Sequence, residues 1–209
     1  MSDKPALFDY WRSSASYRVR IALHLAGVDY DTVPVDLLAG SHKSEAHRHR
    51  NPQGLVSVLD IDGHRFTQSL AIIEYLDETR RLGLLPEDPA RRAKARALAQ
   101  AIAVDIHPVC NLNVVAHVNA LVPGDRVKAD WMVHFIRPGL EAFEVLLGGF
   151  ERRPFCTGAQ LGLADICLVP QIYNARRWGV VFDDLPRIAA VLRAAEAHPA
   201  VLAAFPMQH

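Results

Sequence analysis

Long apolar runs, paired cysteines and an excess of charge of either sign are what this sequence of 209 residues has little of. Lysine plus arginine number 23 and aspartate plus glutamate number 23, so the formal net charge is zero. The strongly basic footprint of a nucleic-acid binder is therefore missing, and no nucleic-acid partner is expected. A balanced total still permits a local basic pocket for an acidic ligand. No window reads as the uncharged apolar run that a membrane span requires, so no membrane partner is expected either. Met1-Ser2-Asp3-Lys4-Pro5 leads directly into Ala6-Leu7-Phe8, without the charged region, apolar stretch and small-residue cleavage site of a secretory signal. The three cysteines, Cys110, Cys156 and Cys167, are odd in number and far apart, and they fit neither a zinc site nor a disulfide framework. No metal is expected, and a reducing cytoplasm is the expected location. What is present is a chain that is 50% apolar and 22% charged, a globular composition with length enough for one large domain or two small ones.

The first third alternates strand and helix signals. Ala6 to Tyr10 and Tyr30 to Val35 read as short strands. Between them, Ser13-Ser14-Ala15-Ser16 opens a helix whose apolar residues Val19, Ile21, Ala22, Leu23 and Ala26 recur near helical spacing, with Gly27 as its stop. Ser41 to Arg50 reads as a short, irregular polar helix, and Asn51-Pro52-Gln53-Gly54 as a turn. Leu55 to Ile61 and His64 to Phe66 read as strands joined by Asp62-Gly63, and Ser69 to Leu82 as an amphipathic helix. The β-α-β-α-β-β-α order predicts a small mixed sheet covered by helices. Leu84 to Pro89 holds two prolines and marks a linker. Beyond it the pattern is helical throughout, over Ala90 to about Leu121 with a bend at Pro108, Lys128 to Leu147, Leu163 to Trp178, and Leu185 to Ala197. The expected boundaries are 1–83, a linker at 84–89, and an all-helical part at 90–209.

Four blocks resemble the zeta-class glutathione transferases. They are Ser13-Ser14-Ala15-Ser16-Tyr17-Arg18-Val19-Arg20-Ile21-Ala22-Leu23; Asn51-Pro52 with Gln68-Ser69-Leu70-Ala71-Ile72-Ile73-Glu74-Tyr75-Leu76; Leu84-Leu85-Pro86; and Ala164-Asp165-Ile166-Cys167-Leu168-Val169-Pro170-Gln171. They span nearly the whole chain in the family's order. The resemblance implies an α/β plus all-α protein, with a thioredoxin-like N-terminal domain followed by an all-helical C-terminal domain. It also implies a homodimer, glutathione as cofactor, and cis–trans isomerisation of maleylacetoacetate in aromatic amino-acid breakdown. Other activities of the class remain open on the sequence. They are general glutathione transfer, dehalogenation of α-halo acids, maleylpyruvate isomerisation, and a non-catalytic binding role.

Isomerising a conjugated cis double bond needs a temporary single bond, which a thiolate supplies by adding and then leaving. A free thiol, with a pKa near ~8.5, is mostly protonated at neutral pH, so donors or a helix N-terminus must lower it. Taken alone, Ser13 and Ser14 read as helix caps. With the other blocks in place, at least one reads as the hydroxyl that donates to the glutathione sulfur, Ser13 leading. Gln68 and Ser69 precede a helix whose free N–H groups suit the γ-glutamyl carboxylate. By resemblance, the backbone of Val56 pairs with the cysteinyl part and His42 touches the glycyl carboxylate. His47 and His49 are expected to be solvated, and their spacing does not suit a metal site. His107 and Asn111, four apart, are expected to share a helix face, and the resemblance implies that they contact glutathione. Arg12 and Arg177 are the candidates to hold the carboxylates of a small dicarboxylate substrate. Arg176 is expected to be solvated or ion-paired. Asp165 is expected to serve a helix N-terminus that begins at Gly162, where the family has Ser or Thr.

Two departures from the family pattern stand out. Ala15 replaces the signature cysteine, and Ser57 follows Val56 where a cis-proline is usual. A non-proline cis bond costs ~2.5–4 kcal/mol, so a trans Val56–Ser57 bond is expected. The maleylpyruvate isomerases resemble the chain as well, including Asp105-Ile106-His107-Pro108, but carry an additional arginine where this chain has Asn113. That difference favours maleylacetoacetate as substrate.

Overall fold

The computed structural model describes residues 4–207. By contact they form two compact units, one holding the residues up to Leu82 together with those from His198 onward, the other Gly83–Ala197. The expected boundaries assigned the end of the chain to the helical part, whereas by contact it clusters with the first unit.

The first unit is built on a sheet in the order β2-β1-β3-β4. β1 (Ala6–Asp9) pairs parallel with β2 (Asp31–Pro34) and antiparallel with β3 (Val58–Ile61), and β3 pairs antiparallel with β4 (His64–Thr67). The parallel pair requires a crossover, supplied by α1 (Ser14–Leu25). A 3-10 turn at Ser41–Lys43 and α2 (Glu45–Arg50) lead to β3, and α3 (Ser69–Arg80) follows β4. α1 packs on α3 and on the short α10 (Pro199–Ala203). The core joins Leu7, Val58 and Leu59 of the sheet to Val19, Ile21, Ile72, Ile73 and Leu76 of the helices.

Within that core lie two arginines. Arg20, 8% exposed, donates to both oxygens of Asp9 at 2.9 and 2.7 Å, to the carbonyl of Trp11 at 2.9 Å and to that of Ala204 at 3.0 Å. One guanidinium thus ties the end of β1, the loop before α1 and the chain's C-terminal segment together. Arg18 is 1% exposed and donates to Ser69 Oγ at 3.4 Å.

The Val56–Ser57 peptide bond is cis, which corrects the expectation of trans. Tertiary context overrules the bond's intrinsic preference here. Ser57 is 2% exposed, immediately before the buried first residue of β3.

The second unit is helical. α4 (Pro89–Gln100) passes into a π-helical turn at Ala101–Ile106 and then α5 (His107–Val109). After these come α6 (Leu112–Leu121), α7 (Val127–Leu147), α8 (Leu163–Arg177) and α9 (Pro186–Ala195). All strands of the described residues lie in the first unit. The expectation that no window suits a membrane span needs correcting for one stretch. Pro89–Leu121, taken as one run, is long and apolar enough to cross a membrane by length and composition. It is not a continuous α-helix, however, and parts of it pack on α7 and α8.

α8 is held at its start by Asp165, which is fully buried. Its Oδ2 accepts from the N–H of Gly162 and its Oδ1 from that of Cys156, both at 2.9 Å. Burial pushes this carboxyl above its usual range, against the two N–H groups that favour the anion. Glycine at 162 has a steric reason, because a Cβ there would lie 2.9 Å from the carbonyl oxygen of Leu84.

Candidate active site

In the first unit, Ser13 is the N-cap of α1, and its Oγ accepts from the N–H of Ser16 at 3.3 Å. Its hydroxyl hydrogen remains to donate to a ligand. Capping and donation to a thiolate are therefore compatible at this residue. Ser14 opens the first turn and is 8% exposed. Both stand at the positive end of the helix, where an anion is favoured.

The loop before Ser13 lines a cavity of about 560 Å³ shared with β2 and the C-terminal segment, and Trp11, Arg12, Thr32 and Phe205 are among its walls. Arg12 sits 5.2 Å from the Trp11 ring and 3.4 Å from the Tyr10 hydroxyl. It forms no ion pair among the described residues, which leaves its charge available to an anion.

The turn at Asn51–Gly54 meets the start of α3. Gln68 Nε2 donates to Gln53 Oε1 at 2.8 Å, and Gln68 itself adopts φ 68° and ψ 113°. A positive φ outside the left-handed helical region is uncommon for a residue other than glycine and persists only where the surrounding structure holds it. Ser69, 7% exposed, begins α3 with the buried Arg18 behind its hydroxyl. Val56 is half-buried, and neither its N–H nor its C=O has a hydrogen-bond partner among the described residues. His42 lies in the 3-10 turn with Nδ1 buried and unpartnered. Burial first, then Lys43, His47 and Arg48, lower its pKa, so the free ring is neutral at pH 7.

His47 does not follow expectation. It is 2% exposed, with Nε2 3.0 Å from the carbonyl oxygen of Leu55. One turn of α2 in a polar run gave no apolar stripe to reveal which face is buried. His49 is exposed and lies 3.7 Å from Glu45.

In the second unit, the expectation that His107 and Asn111 share a helix face is corrected. α5 ends at Val109, Cys110 leaves helical geometry, and Asn111 is an extended N-cap of α6 at φ −65° and ψ 148°. The break at Cys110 and Asn111 undoes the regular helix on which that four-residue reading rested. Asn111 does not use its side chain to cap α6. Arg177 closes α8, 3.4 Å from Asn174 Oδ1 and 6.0 Å from the Trp178 ring. Arg176 is ion-paired to Glu196, one of the two expected states.

Burial disfavours the thiolate at two of the chain's own cysteines. Cys110, Cys156 and Cys167 are all buried, and none forms a disulfide. Burial pushes the Cys110 thiol up to about 11 and that of Cys156 well above its ordinary value. Among the described residues no cluster of three His, Cys, Asp or Glu side chains could hold a metal ion.

Known proteins place these features in a family. Residues 5–78 match the family described as Glutathione S-transferase, N-terminal domain. The maleylacetoacetate isomerase of Rhizobium meliloti (strain 1021) is 57% identical over 195 residues, covering 92% of each chain. Among solved structures, a maleylpyruvate isomerase described as a bacterial zeta-class glutathione transferase superposes with a TM-score of 0.92 at 37% identity, covering 96% of each chain. A maleylacetoacetate isomerase from Anaeromyxobacter dehalogenans 2CP-1, solved with dicarboxyethyl glutathione and citrate in its active site, gives 0.86 at 39% identity over 97% of this chain and 94% of that one. The fold is thioredoxin-like in its N-terminal part and helical in the remainder. The chain belongs to the zeta-class glutathione transferases, the family that contains the maleylacetoacetate isomerases.

Proposed function

We propose that this chain is a glutathione-dependent cis–trans isomerase of maleylacetoacetate. The observation that carries the reading is a hydroxyl at the N-terminus of α1 with its proton still to give, in a chain whose Cys110 and Cys156 thiols are held protonated. The attacking sulfur then comes from glutathione. Ser13, with Ser14 beside it, donates to that sulfur and favours the thiolate. The thiolate adds to the conjugated alkene, and the electron pair moves into the adjacent carbonyl. The former double bond rotates, and the pair returns as the thiolate leaves, so glutathione is regenerated. The dicarboxyethyl glutathione held by the Anaeromyxobacter relative is chemically such an adduct, a glutathione sulfur bonded to a dicarboxylate carbon.

In this reading Val56 presents its backbone to the cysteinyl part of glutathione. Gln68, Ser69 and the start of α3 receive the γ-glutamyl carboxylate, and His42 the glycyl carboxylate. His107 and Asn111 contribute further contacts to glutathione from the second unit. Arg12 and Arg177 each hold a substrate carboxylate through a guanidinium that stays charged at any working pH. A homodimer in the cytoplasm, serving aromatic amino-acid breakdown, completes the proposal. Three cysteines that form no disulfide support the compartment, and sedimentation at micromolar concentration tests the dimer.

The deciding experiment follows isomerisation of maleylacetoacetate with and without glutathione. The expected result is turnover only with glutathione, and no net consumption of it. Stoichiometric consumption would instead make the chain a transferase, and no glutathione-dependent turnover would end the proposal. Maleylpyruvate is the second reading, favoured by the 0.92 superposition. Against it stands Asn113, exposed, with Oδ1 accepting from the N–H of Val114 at 3.0 Å. A neutral amide forgoes a charge-assisted contact worth ~1.5–3 kcal/mol. kcat/KM should therefore be higher for maleylacetoacetate than for maleylpyruvate.

A further inference from the structure

The carbonyl of Leu55 is held twice, by His47 Nε2 at 3.0 Å and by Asn51 Nδ2 at 2.9 Å. A carbonyl only accepts, so the His47 ring carries a proton on Nε2. The ring is set in place from its own backbone. The N–H of His47 donates to Ser44 Oγ at 3.3 Å, and its carbonyl accepts from the N–H of Asn51 at 2.8 Å. Asn51 is fixed in turn, since its Oδ1 accepts from the N–H of Gln53 at 3.1 Å. The neighbouring turn is tight. Gly54 sits at φ +62°, and a Cβ there would come 3.1 Å from the carbonyl oxygen of His42. The buried His47 ring, its Nδ1 without a partner, thus forms a floor under the chain between Asn51 and Val56.

The carbonyl of Leu55 and the N–H of Val56 belong to one peptide plane. In a trans unit the two point in opposite directions, so fixing one fixes the other. The cis bond lies one residue later, at Val56–Ser57. Val56 offers the N–H and C=O that have no partner among the described residues.

We propose that His47 is a positioning residue for cofactor binding. With Asn51 it pins the 55–56 peptide plane, so that the Val56 N–H meets the cysteinyl part of glutathione in a fixed direction. The inference rests on the reading of Val56 as the backbone that pairs with glutathione. Without the pin, the peptide has to be ordered at each binding event, and affinity falls.

Two substitutions separate this role from plain packing. His47→Phe keeps a ring and removes the donor; His47→Gln offers an N–H donor on a shorter reach. Three quantities are read, the chemical shift of the Val56 amide in the cofactor-free protein, the glutathione Kd by calorimetry, and Tm. His47→Phe should shift the Val56 amide and raise Kd about 3- to 10-fold, the size of one neutral hydrogen bond. kcat at saturating glutathione should stay within about twofold, since the residue acts on binding. His47→Gln should recover most of the affinity. If Tm falls in both variants while Kd and the amide shift hold, His47 is a packing residue and the proposal is overturned. Should His47→Phe not fold, Asn51→Ala, which removes the other donor, must give the same amide shift and weaker binding, and an unchanged Kd there overturns it equally. If the wild-type chain binds no glutathione, the functional reading has failed. The amide shift of Val56 then decides the positioning claim by itself, and an unmoved signal refutes it.

Discussion

Gly139→Ala should destabilise the wild-type chain, yet stabilise it once Ile106 has been cut back to alanine. Gly139 lies inside α7, where a Cβ would stand 2.4 Å from Ile106 Cδ1 and 2.5 Å from Ile106 Cγ1. Carbon atoms pack at about 3.5–4.0 Å, so the added methyl arrives roughly 1 Å too close to both. Ile106 is 3% exposed and ends the π turn just before His107, so it has little room to swing away. Forcing a methyl into such a contact costs about 1–3 kcal/mol. Alanine over glycine in a helix interior returns about 1 kcal/mol, and the overlap wins. The net loss is thus up to about 2 kcal/mol, and since each kcal/mol moves Tm by about 2–4 °C for a chain of this size, a fall of up to about 8 °C is expected. Ile106→Ala alone costs about 2–5 kcal/mol. It deletes Cγ1 and Cδ1 and leaves Cβ, 3.9 Å away, at an ordinary contact distance. In that background the alanine at 139 keeps its helix gain and fills part of the cavity. A double-mutant cycle by chemical denaturation reads the coupling directly. A rise in Tm from Gly139→Ala in the wild type, or equal losses in both backgrounds, would show that the contact with Ile106 is not what requires glycine.

Three further outcomes are expected. Ser13→Ala or Ser14→Ala should raise the midpoint of the thiolate absorbance of bound glutathione, and if neither moves it the hydroxyls have no part in activation. His42 has its pKa lowered in the free protein, mainly by burial, and a carboxylate beside the ring raises it again. Glutathione binding should therefore take up protons in the window between the lowered free value and the higher bound one. The uptake should fade as pH rises above that window and be missing in His42→Asn, as calorimetry in buffers of different ionisation enthalpy can measure. Gly162→Ser should lose about 1–3 kcal/mol despite supplying a better N-cap, because its Cβ would lie 2.9 Å from a backbone oxygen that cannot turn aside; a more stable variant in urea would contradict the steric account.

The elements set by apolar periodicity were legible in the sequence. The sheet strands and α1, α3, α8 and α9 fall within a few residues of their expected spans. β3 starts at Val58 and not at Leu55, because the carbonyl of Leu55 is spent on His47 and Asn51 instead of a neighbouring strand. α10 was missed, although Pro199 at its first turn, after His198 whose Nδ1 accepts from the N–H of Ala200 at 3.2 Å, is a start signal that could have found it.

Polar residues at the site were harder to read, and for one physical reason. Helical spacing reports which face is apolar, and it says nothing about a charged or imidazole side chain that is buried because its partners are fixed elsewhere. Arg18 and Arg20 flank Val19 within an apolar helix and are 1% and 8% exposed. Charges on such a stripe are themselves a signal of internal partners, but only the fold discloses that the partners include Ser69 for one, and Asp9, Trp11 and Ala204 for the other. His47 gives no such signal, since its neighbours Arg48, His49 and Arg50 are polar too. The same reasoning separates His107 from Asn111. A spacing of four implies a shared face only while the helix is regular, and here α5 ends at Val109, Cys110 leaves helical geometry and Asn111 is extended. Where a site is assembled from interruptions of regular structure, such as a π turn, an extended cap, a cis bond or a positive φ, its geometry follows from long-range packing, and local sequence carries the residue types without their arrangement.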